Sequence, residues 1–366
     1  MAKKIKVLIA DDSALMRRVL KDIITSDRRL EVVGAARDGQ DLIDKAKEMK
    51  PDVITLDINM PRMDGMTALG ILMKESIAPV IMVSSLTQQG AEVTMQALEL
   101  GAFDYVAKPG GTVTADMSSV SQDMIRKIKA AASSGVLERL RSRPSRQKPA
   151  PRRAASPRPE RVRKIAPKPT SSPNHANAFK AVAIGISTGG PKTIFNVLPQ
   201  LPADLGAAVF IVQHLPPSFT ASFASRLNQA CAMPCFEAKS GMTVEPGTIY
   251  LGQGGRHLNL RRKANGEVVI RTPTRPTHTF MPSVDVMMES VLESFGQDTI
   301  GVIMTGMGDD GAKAMAMIHE AGGLTIAESE ESAVVWGMPG AAVALNAVQI
   351  EAPSWEIAEQ IIKALA

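Results

Sequence analysis

The sequence predicts an α/β protein of two folded units: an N-terminal doubly wound, five-stranded parallel sheet, and a C-terminal α/β domain with a mostly parallel sheet. Three observations predict it. Short apolar runs alternate with helical patterns at both ends of the chain, a core-less basic segment lies between them, and the polar residues with chemistry fall where apolar runs end. Alternation of strands and helices produces parallel sheets, and in such sheets sites form at the carboxyl ends of strands. At 366 residues the chain exceeds what one ordinary core serves, which implies two or three domains. Apolar content of 45% with only 4% aromatic residues fits interiors packed by Val, Ile, Leu, Ala and Met.

Bulk features exclude several classes. No apolar run approaches the ~20 residues of a membrane helix. The basic start at Lys3 and Lys4 is followed by only five apolar residues, interrupted by Lys6, and then acid, too short for a secretory signal. Cys231 and Cys235 supply neither a disulfide framework nor a metal set. A cytoplasmic location is expected. Residues 139–170 hold 12 Lys or Arg and one acid, Glu160, so that segment carries +11 and the rest of a +5 chain carries −6. The basic character belongs to a connecting segment, and a nucleic-acid partner is not expected from it.

The expected first strand, residues 5–10, ends at Asp11 and Asp12, and Ser13 can cap a helix to about residue 26. A strand at 31–36, a helix at 39–49 and a strand at 52–56 lead to Asp57. A helix at 64–74, a strand at 79–83 ending at Ser84, a helix at 92–100 and a strand at 103–106 lead to Lys108. A closing helix covers 117–132. Three carboxylates on neighbouring strand ends repel unless a cation lies between them, and a hard Mg²⁺ that keeps some waters suits oxygen ligands. With metal bound, Asp57 can accept a phosphoryl group whose oxygens Lys108 and the Ser84 hydroxyl would hold.

Residues 3–130 resemble the receiver domain of response regulators, a flavodoxin-like fold. The resemblance rests on D11-D12, D57-I-N-M-P-R-M-D-G65, V-S84-S-L-T and D104-Y105-V-A-K108-P109. It implies that a histidine kinase phosphorylates Asp57, that Ser84 and Lys108 sense the phosphoryl group, and that Tyr105 occupies an aromatic switch position. It also implies that the backbone carbonyl of Asn59 completes a magnesium site with Asp11, Asp12 and Asp57. Beyond it, residues 133–177 carry many Pro, Arg, Lys and Ser and few large apolar side chains. Such a chain cannot form a core and reads as an extended tether.

The second unit starts with A-V-A-I-G-I-S187-T-G-G-P, an apolar strand meeting G-x-S-x-G. Glycines there let the backbone turn sharply and hold a serine hydroxyl at a sheet edge, the arrangement of a nucleophile elbow. A helix at 191–198 follows, then a strand at 207–212 delivering Gln213 and His214, and a helix at 219–229. Strand-and-turn segments at 247–251, 257–260 and 268–271 lead to a helix at 283–295, with Ser283 as its cap. A strand at 299–304 runs into T305-G-M-G-D-D-G311, and a helix at 312–321, a strand at 324–327 and a helix from 337 follow. Serine, histidine and an aspartate of the pair Asp309 and Asp310 thus stand at three strand ends, the set needed for a nucleophile, its base and the base's orienting carboxylate. Chain order is Ser, His, Asp, unlike the Ser, Asp, His of α/β-hydrolases. His257 and His278 are rival bases.

G185-I-S187-T-G-G190, Q213-H214-L-P-P217 and T305-G-M-G-D-D310-G311 resemble the signatures of the chemotaxis protein-glutamate methylesterases, the CheB family. Ile186 stands where members usually have Ala. The resemblance implies domains at 1–132 and 178–366 joined by the tether, with a triad of Ser187, His214 and Asp310. The Met307 amide and the vicinity of Thr188 would bind the oxyanion. It implies phosphorylation-activated hydrolysis of glutamate γ-methyl esters on cytoplasmic chemoreceptor domains, with no cofactor for the esterase and a receiver that covers the site until phosphorylated. Deamidation of receptor glutamines by the same triad, and a response regulator whose output domain only binds, for example to DNA, are the alternatives.

Overall fold

The computed structural model describes residues 3–85, 87–108, 117–133 and 179–366. Apart from Ser133, the tether expected at 133–177 lies outside the described residues, as do Leu86, Pro109 and His175.

The N-terminal unit runs β1 (Ile5–Ala10), α1 (Ala14–Thr25), β2 (Leu30–Ala36), α2 (Gly39–Met49), β3 (Val53–Asp57), α3 (Gly65–Glu75), β4 (Val80–Ser84), α4 (Gln88–Leu100), β5 (Asp104–Ala107) and α5 (Met117–Ala131). Its strands pair in parallel in the order β2-β1-β3-β4-β5. β3 and β4 are buried at every position, as strands covered by helices on both faces must be. Ser13, Asp38, Asp64 and Thr87 each accept a backbone N–H three residues on, which fixes where four helices begin. Gly65 is required at the start of α3, because a Cβ there would lie 2.0 Å from the Asp57 carbonyl oxygen.

The C-terminal unit contains β6 (Lys180–Ile186), α6 (Gly190–Thr193), β7 (Ala207–Gln213), α7 (Pro217–Ala230), β8 (Cys235–Glu237), β9 (Ile249–Leu251), β10 (Asn259–Arg262) and β11 (Val268–Arg271). It continues with α8 (Val284–Phe295), β12 (Thr299–Ile303), α9 (Ala312–Glu320), β13 (Leu324–Glu328), α10 (Met338–Ala344), β14 (Ile350–Ala352) and α11 (Ser354–Leu365). Seven strands form one parallel sheet in the order β14-β13-β12-β6-β7-β9-β8, and β10 and β11 form an antiparallel pair. The helix expected at 191–198 is a correction. After Thr193 the chain tightens into two 3₁₀ turns, Ile194–Asn196 and Leu198–Gln200. Pro199 disfavours α geometry at Leu198 and donates no N–H.

The two units share an apolar interface. Met95, Leu98 and Tyr105 belong to the same buried cluster as Phe219 and Phe223, and α4 packs on α7. The Tyr105 ring stacks on Phe219 with centroids 4.8 Å apart and planes 13° apart. An ion pair joins Glu99 Oε2 to an Arg226 guanidinium nitrogen at 2.9 Å.

Candidate active site

Adjacent strands β12, β6 and β7 are followed immediately by Met304, Ser187 and His214. β6 is flanked by β12 and β7, and the sheet grows outward from it in both directions, so the crevice at its end is a topological switch point. Ser187 is pinned there by its own backbone. Its N–H donates to Thr305 O at 2.9 Å, and its carbonyl accepts from Gly190 N at 2.8 Å and from Gln213 Nε2 at 3.0 Å. Gly189 takes φ +78°, where a side chain would be strained.

His214 bridges the other two groups. Its Nδ1 lies 3.0 Å from Ser187 Oγ, and its Nε2 lies 2.7 Å from Asp310 Oδ2. The carboxylate holds the ring proton on Nε2, which leaves the Nδ1 lone pair facing the serine hydroxyl. Chymotrypsin-type triads use the two nitrogens the other way round. Asp310 accepts three further bonds: Ser283 Oγ at 2.8 Å, Val284 N at 2.7 Å and Asp285 N at 3.1 Å. Burial opposes its charge, but these donors and His214 outweigh burial and hold its carboxyl at about 2. Asp285 reciprocates by accepting from Ala314 N at 3.0 Å. Asp310 thus satisfies the N-terminus of α8, which carries Asp285, and Asp285 satisfies the N-terminus of α9, which follows Asp310, locking the two helices around the site.

The sequence-level candidates separate clearly. Asp309 is exposed and Asp310 buried. Buried His257 donates or accepts only within its own loop region, with Nε2 2.8 Å from Pro276 O and Nδ1 accepting from Ser283 N at 3.3 Å. His278 is exposed and His319 lies in α9. The chain at Gly306 passes so close to Ser187 that a Cβ there would lie 2.9 Å from the Ser187 Cβ, and Met307 is the next residue. Thr188 is buried, and its Oγ1 donates to Asp104 Oδ2 of the N-terminal unit at 2.7 Å. Asp104, Tyr105 and Arg126 face Ser187 and His214 across a cavity of about 570 Å³. Sequence reading assigned no role to Asp104, Gln213 or Phe280. Each is an ordinary residue until the two units are brought together or the strand ends aligned.

At the carboxyl edge of the N-terminal sheet, carboxylate oxygens of Asp11, Asp12 and Asp57 lie within 4.8 Å of one another. Burial raises the Asp57 pKa although Lys108 Nζ sits 2.7 Å from its Oδ2. Lys108 also approaches Asp11 Oδ2 at 3.4 Å. Burial opposes its charge, yet these two carboxylates raise its pKa. Neither Asp11 Oδ2 nor Asp57 Oδ2 accepts an aligned hydrogen bond. Two buried, incompletely satisfied carboxylate oxygens beside an exposed third carboxylate are suited to a hard divalent cation. Ser84 is buried beside this edge and accepts from Thr94 Oγ1 of α4 at 2.7 Å. Asn59, two residues after Asp57, lines the same edge with Ser84 and Lys108, and its backbone N–H donates to the Asp57 carboxylate.

The whole chain has close relatives. A family model for the CheB methylesterase matches residues 182–361, and one for the response regulator receiver domain matches residues 7–114. The protein-glutamate methylesterase/protein-glutamine glutaminase 3 of Syntrophomonas wolfei is 54% identical over 365 residues, spanning 99% of this chain and 99% of the relative. The corresponding protein of Caldanaerobacter subterraneus is 46% identical over 366 residues, spanning 99% and 97%. The crystal structure of the Thermotoga maritima CheB methylesterase catalytic domain aligns with a TM-score of 0.50 and 36% identity, covering 51% of this chain and 98% of that one. Full-length identity, with strands that carry both sets of site residues, makes this chain a member of the CheB methylesterase family, a response-regulator receiver joined to a methylesterase domain.

Proposed function

We propose that the chain hydrolyses glutamate γ-methyl esters on the cytoplasmic domains of chemoreceptors, releasing methanol, and that phosphorylation of Asp57 by a chemotaxis histidine kinase raises that activity. The observation that carries the esterase is the continuous hydrogen-bonded line from Ser187 Oγ through His214 to Asp310. In this reading His214 Nδ1 takes the serine proton as Oγ attacks the ester carbonyl. The oxyanion forms beside the Met307 amide and Thr188. His214 returns the proton to the departing methoxide, which leaves as methanol. Water then hydrolyses the glutamyl-serine ester with His214 again as base, and Asp310 stabilises the imidazolium in both halves.

The receiver's acidic edge would hold Mg²⁺ through Asp11, Asp57 and the Asn59 carbonyl, with Asp12 alongside. When bound there, that ion would supply charge neutralisation for phosphoryl transfer to Asp57. Ser84 and Lys108 would then bind the phosphoryl oxygens. Closure of the receiver over Ser187 supports a low basal rate, since a receptor helix cannot reach the serine past Asp104 and Tyr105. Among the described residues no helix is long and apolar enough to cross a membrane, which is consistent with a cytoplasmic enzyme acting on receptor domains there. A response regulator with a DNA-binding output is not favoured, because the output half matches the methylesterase model.

The test is methanol release from methylated receptor membranes, with and without Mg²⁺ and a small phosphodonor. The expected outcome is release that the phosphodonor raises and Ser187→Ala abolishes. Release that persists in Ser187→Ala would overturn the triad. The relatives' names also include glutaminase, and an amide presents the same acyl carbon to Ser187. Ammonia release from receptors carrying glutamine at the same positions measures that second activity.

A further inference from the structure

The His214 ring has two hydrogen-bond partners, Ser187 and Asp310, and a third neighbour that stacks on its face. That neighbour is Phe280. The two rings lie 4.1 Å apart between centroids and only 7° from parallel. Phe280 belongs to the segment between β11 and α8, and that segment is anchored on both sides of the ring. Pro276 O is held by His257 Nε2 at 2.8 Å, Met281 O accepts from Gly255 N at 2.8 Å, and Ser283 N donates to His257 Nδ1 at 3.3 Å. His257, buried and bonded to Pro276 and Ser283, therefore acts as the peg for the strap that presents Phe280.

The geometry leaves a definite task for this ring. Bonds to Ser187 and Asp310 both lie near the imidazole plane and at opposite ends of the ring, so neither resists tilting about the line that joins them. A flat surface stacked on one face does resist it. The same surface keeps water off that face, and an aromatic face favours a cation resting on it. Both effects count most when His214 carries the serine proton.

We propose that Phe280 is a positioning residue for the histidine base. It sets the tilt of the His214 ring toward Ser187 and supports the imidazolium formed in each half-reaction. Phe280 is also where the receiver reaches this apparatus, since the Arg126 guanidinium of α5 lies 5.6 Å from the centre of its ring. The charged groups around the site are Asp310 on the ring itself, Arg126 on Phe280, and Asp104, Asp123 and Lys127 on the receiver side of the cavity. The proposal rests on Ser187, His214 and Asp310 forming the catalytic triad.

The test uses the full chain with Mg²⁺ and phosphodonor present, comparing Phe280→Leu, Phe280→Met and Phe280→Tyr for kcat and KM of methanol release. Ser187→Ala runs beside them, and a Ser187→Ala chain that still released methanol would fail the triad reading rather than this one. Rates of Ser187 labelling by a small fluorophosphonate give a readout that needs no receptor docking. Thermal melting and Asp57 phosphorylation confirm that each variant is folded, and Phe280 is only half-buried. Expected is a fall of about 10- to 100-fold in kcat for Leu and Met, the scale of a displaced catalytic group. KM should stay within about twofold, labelling should slow in parallel with kcat, and Tyr should restore both. Wild-type kcat in the Leu and Met variants would overturn the proposal. So would a raised KM at unchanged kcat, which would make Phe280 a substrate contact only, or a Tyr variant as slow as Leu.

Discussion

Asp310 shows how much of the chemistry resides in single hydrogen bonds. Its carboxylate takes bonds from His214, Ser283 and two backbone amides at the head of α8. The first of these selects the tautomer of His214. Replacing it with Asn offers an amide that can turn its N–H₂ toward Nε2 and force the ring proton onto Nδ1, where it cannot accept from serine. Asp310→Asn is therefore expected to lower kcat by roughly 10³- to 10⁴-fold with little change in KM, measured by methanol release. A folded value of about 2 against an ordinary 3.8 also links this group to stability. Its folded pKa is depressed, so its contribution is present above about pH 4 and lost as pH falls through about 2, and it amounts to on the order of 2 kcal/mol. Urea denaturation of wild type and Asp310→Asn should differ by up to that amount at pH 7 and converge toward pH 2. A gap independent of pH would show that packing, not charge, sets the difference. The sequence pointed to Asp309 and Asp310 as a pair, and family motif alone chose between them. Burial of one and exposure of the other follows from the tight turn at Gly308 and Gly311, both with positive φ, and such a turn has no signature beyond the glycines themselves.

At the scale of elements, helix starts were legible where a cap was read, at Ser13 and Ser283, and buried strands where apolar runs are long; the start of α4 was not, since the helix expected from 92 begins at Gln88 under the Thr87 cap. Edge strands β8 and β14 were not, since three residues show no period. The α4–α7 contact was illegible for another reason. Glu99 and Arg226 are 127 positions apart, and each alone looks like an ordinary surface charge. Burial raises the Glu99 pKa in spite of Arg226, so the pair is a partly desolvated one whose value lies in orientation. Glu99→Arg places two cations opposite each other and is expected to raise basal methanol release about 2- to 5-fold, the effect of about 0.5–1 kcal/mol on a closed equilibrium. Adding Arg226→Glu should return the basal rate to near wild type. Failure of the double variant to reverse the single one would detach this ion pair from closure.

For the whole molecule, phosphorylation must change the balance between closed and open arrangements by an interaction that differs between them. The path is short. Ser84 Oγ donates to Ser85 O at 3.2 Å and accepts from Thr94 Oγ1 of α4 at 2.7 Å, and the end of β4 pairs Ser84 with Ala107, two residues beyond Tyr105. On the proposed reading, a phosphoryl group on Asp57 would compete for the Ser84 hydroxyl and for Lys108, which now serves Asp57 and Asp11. Moving Ser84 disturbs its bond to α4, and moving the strand ends disturbs Tyr105, whose ring stacks on Phe219. Both anchors of the interface are thus tied to one phosphoryl site, and a tenfold activation asks for only about 1.4 kcal/mol from them. Backbone hydrogen exchange reads the coupling directly. Mg²⁺ with phosphodonor should accelerate exchange in α4 and α7 and raise methanol release together in the wild type, whereas Asp57→Ala should keep basal release and show neither change. Raised activity with unchanged exchange in α7 would mean that the receiver stays docked and acts through the Thr188–Asp104 contact instead. A variant Asp104→Asn, which keeps the size of that contact while removing its charge, would then be the one to mimic activation.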